Sequence, residues 1–206
     1  SMNIKYFLDE LSTESPAPGG GSVSALAGSL AAALNSMVAN LTFGKKKWAS
    51  QFDKMTYISE NNQKLKDELL SLVDEDTNSF NKLINAYKLP KVTKNEVAIR
   101  DIEIDKALKY ATSIPHKTLE SSYEVMKFSY EVAKYGNTNS ISDAGVACEL
   151  AYAAIKGAAL NININIKDIS DPIFNKKISA SSKTISNKAE TLLTKIQNLV
   201  SSIINE

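Results

Sequence analysis

The chain has 206 residues, of which 43% are hydrophobic and 23% charged, close to the proportions of ordinary globular proteins. This length predicts a single domain, 1–206, with a core large enough to fold without covalent staples. The 24 basic and 23 acidic residues leave a net charge of +1, which gives no overall attraction to nucleic acid. One cysteine and one histidine exclude an intramolecular disulfide and a Cys/His zinc cluster.

The N-terminal segment does not have the pattern of an export signal. Asp9 and Glu10 arrive before any apolar run of signal-peptide length. Together with the single cysteine, this predicts a cytoplasmic protein. The stretch 19–44 carries no charge, but its Ala, Ser, Gly and Asn content is too polar to favour lipid, so we expect no membrane span.

Seven helices and no strand are predicted along the chain. Thr93 to Glu96 has the Thr-x-x-Glu form of a capping box, and Asp171 precedes a proline suited to a first helical turn. The Ile/Asn alternation at 161–166 is typical of a strand but has no partner strand, so we assign it to a helix end. No linker separates the elements, which predicts one all-α helical bundle. The helices are expected at 3–12, 22–43, 51–88, 94–113, 116–135, 142–166 and 172–204.

Two of these helices, 22–43 and 142–166, are rich in Ala, Gly and Ser. The first carries no charge on any face, and a helix that is uncharged all round must be buried. At 1.5 Å per residue it is about 33 Å long, enough to cross the domain and meet a second subunit. The helix propensity of alanine would explain the composition but not the missing charge. We therefore expect a homodimer.

The segment Pro16 to Ser22 reads PAPGGGS and leads directly into the first small-residue helix. Flexible backbone, a serine cap and the positive end of a helix dipole meet there, which favours an anionic or polar ligand. The segment lacks the Gly-Lys-Ser/Thr ending of a Walker loop, and no strand precedes it as in a dinucleotide fingerprint. A plain turn between helices explains the same residues. The candidate ligand contacts are Gly19, Gly20, Gly21 and Ser22.

The predicted helix 51–88 carries one acid on its apolar face. Asp76 fills the gap in that face, whereas Asp74 and Glu75 project elsewhere and are expected in water. Desolvation would raise the pKa of Asp76 toward neutrality, which is the tuning that a general acid/base needs. The alternative is a structural carboxylate that caps a helix or pairs with a lysine or arginine. The apolar face consists of Leu65, Leu69, Leu72, Phe80, Leu83 and Tyr87.

Five further residues are candidates for ligand contact. Asn161 and Asn165 are four residues apart, so a helix presents both amides on one side, where each amide could donate and accept hydrogen bonds. Asp143 falls in the first turn of a predicted helix, where ordinary capping also explains it. Lys45 and Lys46 belong to a basic cluster, Lys45–Lys47, whose alternative role is a solvated turn.

Six segments carry a resemblance that runs in order over nearly the whole chain. They are PAPGGGSVSAL from Pro16, MVANLTFGKK from Met37, LVDEDTNSF from Leu72, Gly136-Asn137, SDAGV from Ser142 and NININ from Asn161. They resemble the cyclodeaminase/cyclohydrolase family. That family includes the C-terminal half of formiminotransferase-cyclodeaminase and stand-alone bacterial methenyltetrahydrofolate cyclohydrolases.

The resemblance implies an all-α homodimer with folate sites near the subunit interface. The acid/base aspartate of the family's Leu-x-Asp-x-Asp segment aligns with Asp76. The implied substrate is a tetrahydrofolate derivative, expected to be polyglutamylated, with no prosthetic group and no metal. The implied folate contacts are Gly19, Gly20, Gly21, Ser22, Lys46, Asp143, Asn161 and Asn165, and we expect the Lys45–Lys47 cluster to hold the glutamate tail.

The expected reaction is hydrolysis of 5,10-methenyltetrahydrofolate to 10-formyltetrahydrofolate. The alternative is a formiminotetrahydrofolate cyclodeaminase, which releases ammonia and gives 5,10-methenyltetrahydrofolate. The cyclohydrolase is preferred because the chain carries no formiminotransferase half. A third possibility, of another class, is a non-catalytic helical dimer or binding module in which Asp76 is only a satisfied core carboxylate.

Overall fold

The computed structural model describes residues 3–205, and within that range the chain is all-α with no strand. Six α-helices form one bundle, joined by short 3-10 segments at Lys46–Gln51, Thr138–Ser140 and Ile166–Asp168. This confirms the predicted fold class. The helices are α1 Ile4–Leu11, α2 Gly20–Thr42, α3 Phe52–Tyr87, α4 Lys94–Tyr135, α5 Ile141–Asn165 and α6 Pro172–Ile204.

Most predicted helix ends agree with the structure. Both bonds of the capping box form at the start of α4, where the Thr93 hydroxyl accepts from the Glu96 N–H and the Glu96 carboxylate accepts from the Thr93 N–H. Asp171 caps the first turn of α6. The Ile/Asn alternation is helical as far as Asn165, which confirms its assignment to a helix end.

The predicted break between residues 113 and 116 is wrong. α4 continues for 42 residues and passes through Pro115. A proline inside a helix lacks the N–H that would bond to the carbonyl four residues earlier, here that of Ala111. Pro115 is nevertheless buried, and α4 packs against α2, α3, α5 and α6. Tertiary packing of this extent outweighs the local cost of one missing hydrogen bond.

The seam between α2 and α3 is built from a repeated serine contact. At three positions on α2, seven residues apart, a buried serine hydroxyl donates to a backbone carbonyl of α3. Each step of seven forward along α2 is matched by a step of seven backward along α3, so the two helices are antiparallel. The bonds are Ser22 to Val73 at 3.1 Å, Ser29 to Lys66 at 3.0 Å and Ser36 to Ser59 at 3.2 Å.

The second small-residue helix, α5, also runs antiparallel to α2. At one end of the pair, the α-carbon of Gly20 faces the Asn161 side chain. At the other end, Val38 and Ile141 share one apolar cluster. The glycine-rich turn and the two asparagines of α5 therefore lie at one end of the bundle, which we call the glycine end, and the Lys45–Lys47 cluster lies at the opposite end.

One face of α2 is not covered by the bundle. By length and composition α2 could cross a membrane, but 61% of its most apolar window is buried between the other helices, as in the core helix of a soluble protein. The uncovered face carries large apolar side chains spaced by seven, seven and four residues. These are Val23, Leu30, Met37 and Leu41, between 38% and 46% exposed.

Candidate active site

A cavity of about 170 Å³ opens at the glycine end of the bundle. Four helices, α2, α3, α4 and α5, and the turn before α2 contribute to it. Its apolar wall contains Phe80, Leu83 and Ala111. The cavity brings together six of the sequence-predicted site residues: Gly19, Gly20, Gly21, Asp76, Asn161 and Asn165.

Asp76 is half-buried and is the only titratable residue among those that line this cavity. The Ser22 hydroxyl donates to its Oδ2 at 2.9 Å, and the Ser22 backbone N–H lies near the same carboxylate. Burial raises the pKa of Asp76 above the ordinary aspartate value, while the Ser22 hydroxyl and N–H oppose part of that rise. Within residues 3–205 the partner of Asp76 is thus a serine, not a lysine or arginine.

The acids beside Asp76 lie where the helical period predicts. Asp74 and Glu75 are exposed, and the Glu75 carboxylate accepts a hydrogen bond from the Tyr110 hydroxyl at 2.8 Å. Only Asp76 points toward the cavity. The helical phase of α3 therefore separates one carboxylate with a raised pKa from two solvated ones.

The position of the Asp76 carboxyl group leaves no room for a side chain at Gly21. A β-carbon at this position would overlap the Asp76 carboxyl group. The cap residue of α2, Gly19, has no side chain to bond the first turn of the helix. Asp76 reaches across from α3 and places its carboxylate at the first turn of the helix, where it accepts from the Ser22 hydroxyl. The glycines thus allow the Asp76 carboxylate to approach a helix N-terminus closely.

Ser22 lies behind Asp76 rather than on the cavity surface. It is fully buried, and its hydroxyl is within hydrogen-bonding distance of both Asp76 and the Val73 carbonyl. Any influence on a bound molecule would therefore pass through the Asp76 carboxyl group.

Asn161 and Asn165 lie on the cavity side of α5 with fixed amide orientations. The Asn161 amide donates to the Gly157 carbonyl at 2.9 Å, and the Asn165 amide donates to the Ala111 carbonyl at 3.2 Å. A carbonyl only accepts, so each side-chain nitrogen must face its partner. The two Oδ1 atoms are left to accept hydrogen bonds from another donor.

Three predicted contacts lie at the opposite end of the bundle. Lys45 and Lys46 are exposed beyond the C-terminus of α2, about 35 Å from its start by helical rise. Asp143 is half-buried in the first turn of α5, about 27 Å along that helix from Asn161. A single chain does not bring these three residues to the cavity.

Some cavity residues were not singled out from the sequence. Phe80 and Leu83 were assigned to the apolar face of α3, and their positions one and two turns after Asp76 were the available signal. Ser79, Ala111, Pro16 and Ala17 complete the cavity. Ala111 carries no signal of its own, because nothing in its residue type distinguishes it from a core alanine.

The fold and the cavity together define an all-helical protein with a single desolvated carboxylate suited to acid/base chemistry. The chain belongs to the formiminotransferase-cyclodeaminase family, whose sequence model matches residues 3–184.

Similar proteins include enzymes of two kinds. The chain is 38% identical to a methenyltetrahydrofolate cyclohydrolase from Methylorubrum extorquens, over 98% of this chain and 97% of that protein. It is 36% identical to a formimidoyltransferase-cyclodeaminase from Dictyostelium discoideum, of which it spans only 36%. A crystal structure of formiminotetrahydrofolate cyclodeaminase from Thermotoga maritima superimposes with a TM-score of 0.89 at 29% identity, covering 98% of this chain and 97% of that one.

Proposed function

We propose that this protein is a methenyltetrahydrofolate cyclohydrolase. The observation that carries the proposal is Asp76, a carboxylate with a raised pKa and the only titratable group lining its cavity. The end-to-end similarity to the Methylorubrum cyclohydrolase supports the choice of reaction. The proposal requires no prosthetic group, no metal and no contact with nucleic acid or membrane.

Asp76 acts first as a base and then as an acid. The methenyl bridge between N5 and N10 of the substrate is an amidinium-like cation, so its carbon accepts water as a nucleophile. Asp76 removes a proton from the attacking water as the new carbon–oxygen bond forms. The carbon–N5 bond then breaks while N5 receives a proton, which leaves the formyl group on N10 and releases one proton overall.

The remaining side chains of the cavity suit a cationic centre. Asn161 and Asn165 offer Oδ1 acceptors, and no lysine or arginine lines the cavity to repel positive charge. The positive charge is already present on the bound substrate and is lost as water adds, so these acceptors favour binding of the cation rather than the step that neutralises it. We propose that these two asparagines contact the folate, and that the Gly19 to Gly21 backbone lets the ring system approach Asp76 closely.

Cyclodeamination is the second candidate function. The Thermotoga structure and the Dictyostelium protein favour it, since the names of both include this activity. In that reaction N10 would attack the formimino carbon and ammonia would leave, with Asp76 again moving the proton. Both reactions pass through a tetrahedral carbon, so the same cavity could serve either.

A direct comparison of the two substrates tests the proposal. Purified protein is mixed with methenyltetrahydrofolate or with formiminotetrahydrofolate, and the methenyl absorbance is followed. Loss of absorbance faster than the uncatalysed rate is expected with the first substrate. Faster appearance of absorbance with the second would favour the cyclodeaminase, and no effect with either would favour the non-catalytic binding module.

We further propose that the protein is a homodimer built on the uncovered face of α2. The spacing of that face supports a twofold arrangement, because in an antiparallel pairing centred on Leu30 the Val23 side chain of one copy lies against Met37 of the other. Large apolar side chains that remain about 40% exposed would be covered by this contact.

The same twofold arrangement would complete the folate site. It pairs α2 residues whose numbers sum to 60, so the chain near Lys45 and Lys46 of the partner subunit approaches the segment before Gly19. The same arrangement brings the end of the partner's bundle that carries Asp143 toward this segment. We propose that the partner's lysines hold the glutamate tail of the substrate, which accounts for their distance from Asp76 within one chain.

Three substitutions to glutamate test the dimer by light scattering. Leu30→Glu introduces charge at the centre of the uncovered face and should give monomers that remain folded. Ile99→Glu alters an apolar residue of similar exposure, 50%, on α4 and should leave the dimer intact. Ala32→Glu places charge at a fully buried site and should unfold the chain. A wild-type monomer at micromolar concentration would contradict the proposal.

A further inference from the structure

The proline inside α4 and the asparagine at the end of α5 meet at one carbonyl oxygen. In a regular helix the Ala111 carbonyl would accept from the N–H of residue 115, but Pro115 has no N–H. The Asn165 amide donates to that carbonyl instead, at 3.2 Å. The hydrogen bond that the proline removes from α4 is thus replaced by a side chain from α5.

We infer that Pro115 is a positioning residue for the substrate cavity. By leaving the Ala111 carbonyl open, it gives the Asn165 amide nitrogen a fixed partner. The Asn165 Oδ1 is then held as an acceptor at the cavity, which Ala111 and Asn165 both line. Pro115 itself is buried and does not line the cavity, so it acts only through its neighbour.

The two asparagines differ in the kind of carbonyl to which each amide donates. The Asn161 amide bonds to the Gly157 carbonyl, four residues earlier in its own helix, where the helix supplies an acceptor at the right distance. Asn165 reaches across to α4 instead. A carbonyl of a regular helix already has an N–H donor and can take a second one, whereas the carbonyl four residues before a proline has no helical donor and depends on the side chain for its only partner.

The chemical class of the group that Asn165 contacts can be derived from this geometry. One of its two amide hydrogens is engaged by the Ala111 carbonyl, which fixes the orientation of the amide, and the group on the substrate that meets its Oδ1 must be an N–H or O–H donor. The ring nitrogens and exocyclic amine of a reduced pterin are donors of this kind. This assignment rests on the proposed folate activity, whereas the link between Pro115 and Asn165 does not.

A double-mutant cycle in thermal stability tests the link without any assay of activity. Asn165→Ala leaves the Ala111 carbonyl without a donor and should lower the melting temperature of an otherwise wild-type chain. Pro115→Ala restores the N–H of residue 115, so it should melt at or above the wild-type temperature. In the Pro115→Ala background, Asn165→Ala should cost little or nothing. Equal losses of melting temperature in both backgrounds would overturn the inference.

Kinetics of the same four proteins test the consequence for the substrate. Pro115→Ala should raise KM about three- to tenfold with little change in kcat, the scale expected for one hydrogen bond. The double variant should have the KM of Asn165→Ala alone. Pro172→Ala is the matched control, because this proline occupies the first turn of α6 and frees no helical carbonyl. An unchanged KM in a stable Pro115→Ala protein would also overturn the inference.

The two sets of measurements separate this inference from the proposed function. If wild-type protein turns over neither folate, the proposed function fails while the stability cycle still decides whether Pro115 positions Asn165. If wild-type protein is active and the stability cycle shows no coupling, the positioning role fails and the proposed function stands.

Discussion

The three serine contacts between α2 and α3 are alike in geometry but differ in surroundings. Ser29 and Ser36 each donate to one carbonyl of α3. Ser22 makes the same contact and has a second acceptor, the Asp76 carboxylate. A hydroxyl has one hydrogen, so it donates one hydrogen bond at a time. Ser22 can donate that bond to Asp76 when the carboxylate is ionised and to the Val73 carbonyl when Asp76 is protonated. One serine of a structural repeat thus contacts the candidate active site, because an acid lies beside it.

Asp76→Asn should show the largest effect. The amide keeps the shape of the carboxyl group but cannot exchange a proton, so turnover should fall about a hundredfold or more while ligand binding persists. Steady-state kinetics and equilibrium binding of methenyltetrahydrofolate measure both. Full activity in this variant would reject Asp76 as the acid/base.

The same variant has a signature in stability. Burial raises the pKa of Asp76 in the folded protein, so the folded state holds this proton more tightly than the unfolded state does. The stability of wild-type protein therefore falls as pH rises from the ordinary aspartate range through the raised pKa. Asp76→Asn removes that loss and should melt at or above the wild-type temperature at neutral pH, with the difference shrinking in acid. A large drop in melting temperature at pH 7 would instead indicate a structural carboxylate.

Gly21→Ala should have the next largest effect on turnover. Its β-carbon would overlap the Asp76 carboxyl group and push it from its position, which should lower kcat about tenfold or more. Gly20→Ala is the matched control, since its β-carbon would meet only the Asn161 amide at 3.7 Å, an ordinary contact. Similar kcat values in the two variants would contradict the close approach of Asp76 to the start of α2.

Ser22→Ala and Ser29→Ala compare two members of the repeat. Each removes one bond between α2 and α3 and should cost about 1 kcal/mol of stability. Only Ser22→Ala also removes a donor to ionised Asp76, which should raise the pKa of Asp76 further and shift the acid limb of the kcat/KM profile to higher pH. On that limb its kcat/KM should fall about tenfold below that of Ser29→Ala. Coincident pH profiles would show that Ser22 is only another structural serine.

Substitution of the two lysines at the far end of α2 should have the smallest effect. If Lys45 and Lys46 hold the glutamate tail, their double alanine variant should raise KM a few-fold with little change in kcat, since tail binding is equal in ground and transition states. Added salt should raise the KM of wild-type protein in the same way and that of the variant less. An unchanged KM would indicate that Lys45 and Lys46 belong to a solvated turn and do not contact the substrate.

Sequence periodicity was sufficient to predict most of the helices and the position of Asp76 on the inward face of α3. Helical spacing on α3 separated Asp76 from its two acidic neighbours because each residue advances the helix by a fixed angle. The capping residues Thr93 and Asp171 were predictable because their bonds are local. The effect of Pro115 was not predictable from local sequence. Packing of α4 against distant helices outweighs the hydrogen bond that the proline removes.

The contacts of individual cavity residues could not be predicted, because no local sequence pattern contains them. Gly21 was predicted to approach a ligand, but the group it meets in the structure is the carboxylate of Asp76, 55 positions later in the chain. Asn165 was predicted to donate and accept, and one of its amide hydrogens is engaged by the Ala111 carbonyl on another helix. Residue type indicated that Gly21 and Asn165 belong to a candidate site, and tertiary contacts determine which group each one meets.

The acceptor character of the cavity side chains bears on the release of product. Methenyltetrahydrofolate carries a positive charge on its one-carbon bridge, and the formyl group of the product is neutral. The Asp76 carboxyl group and the Oδ1 atoms of Asn161 and Asn165 attract the cation more strongly than the neutral amide. Product should therefore dissociate readily and inhibit the enzyme only weakly, even where it accumulates.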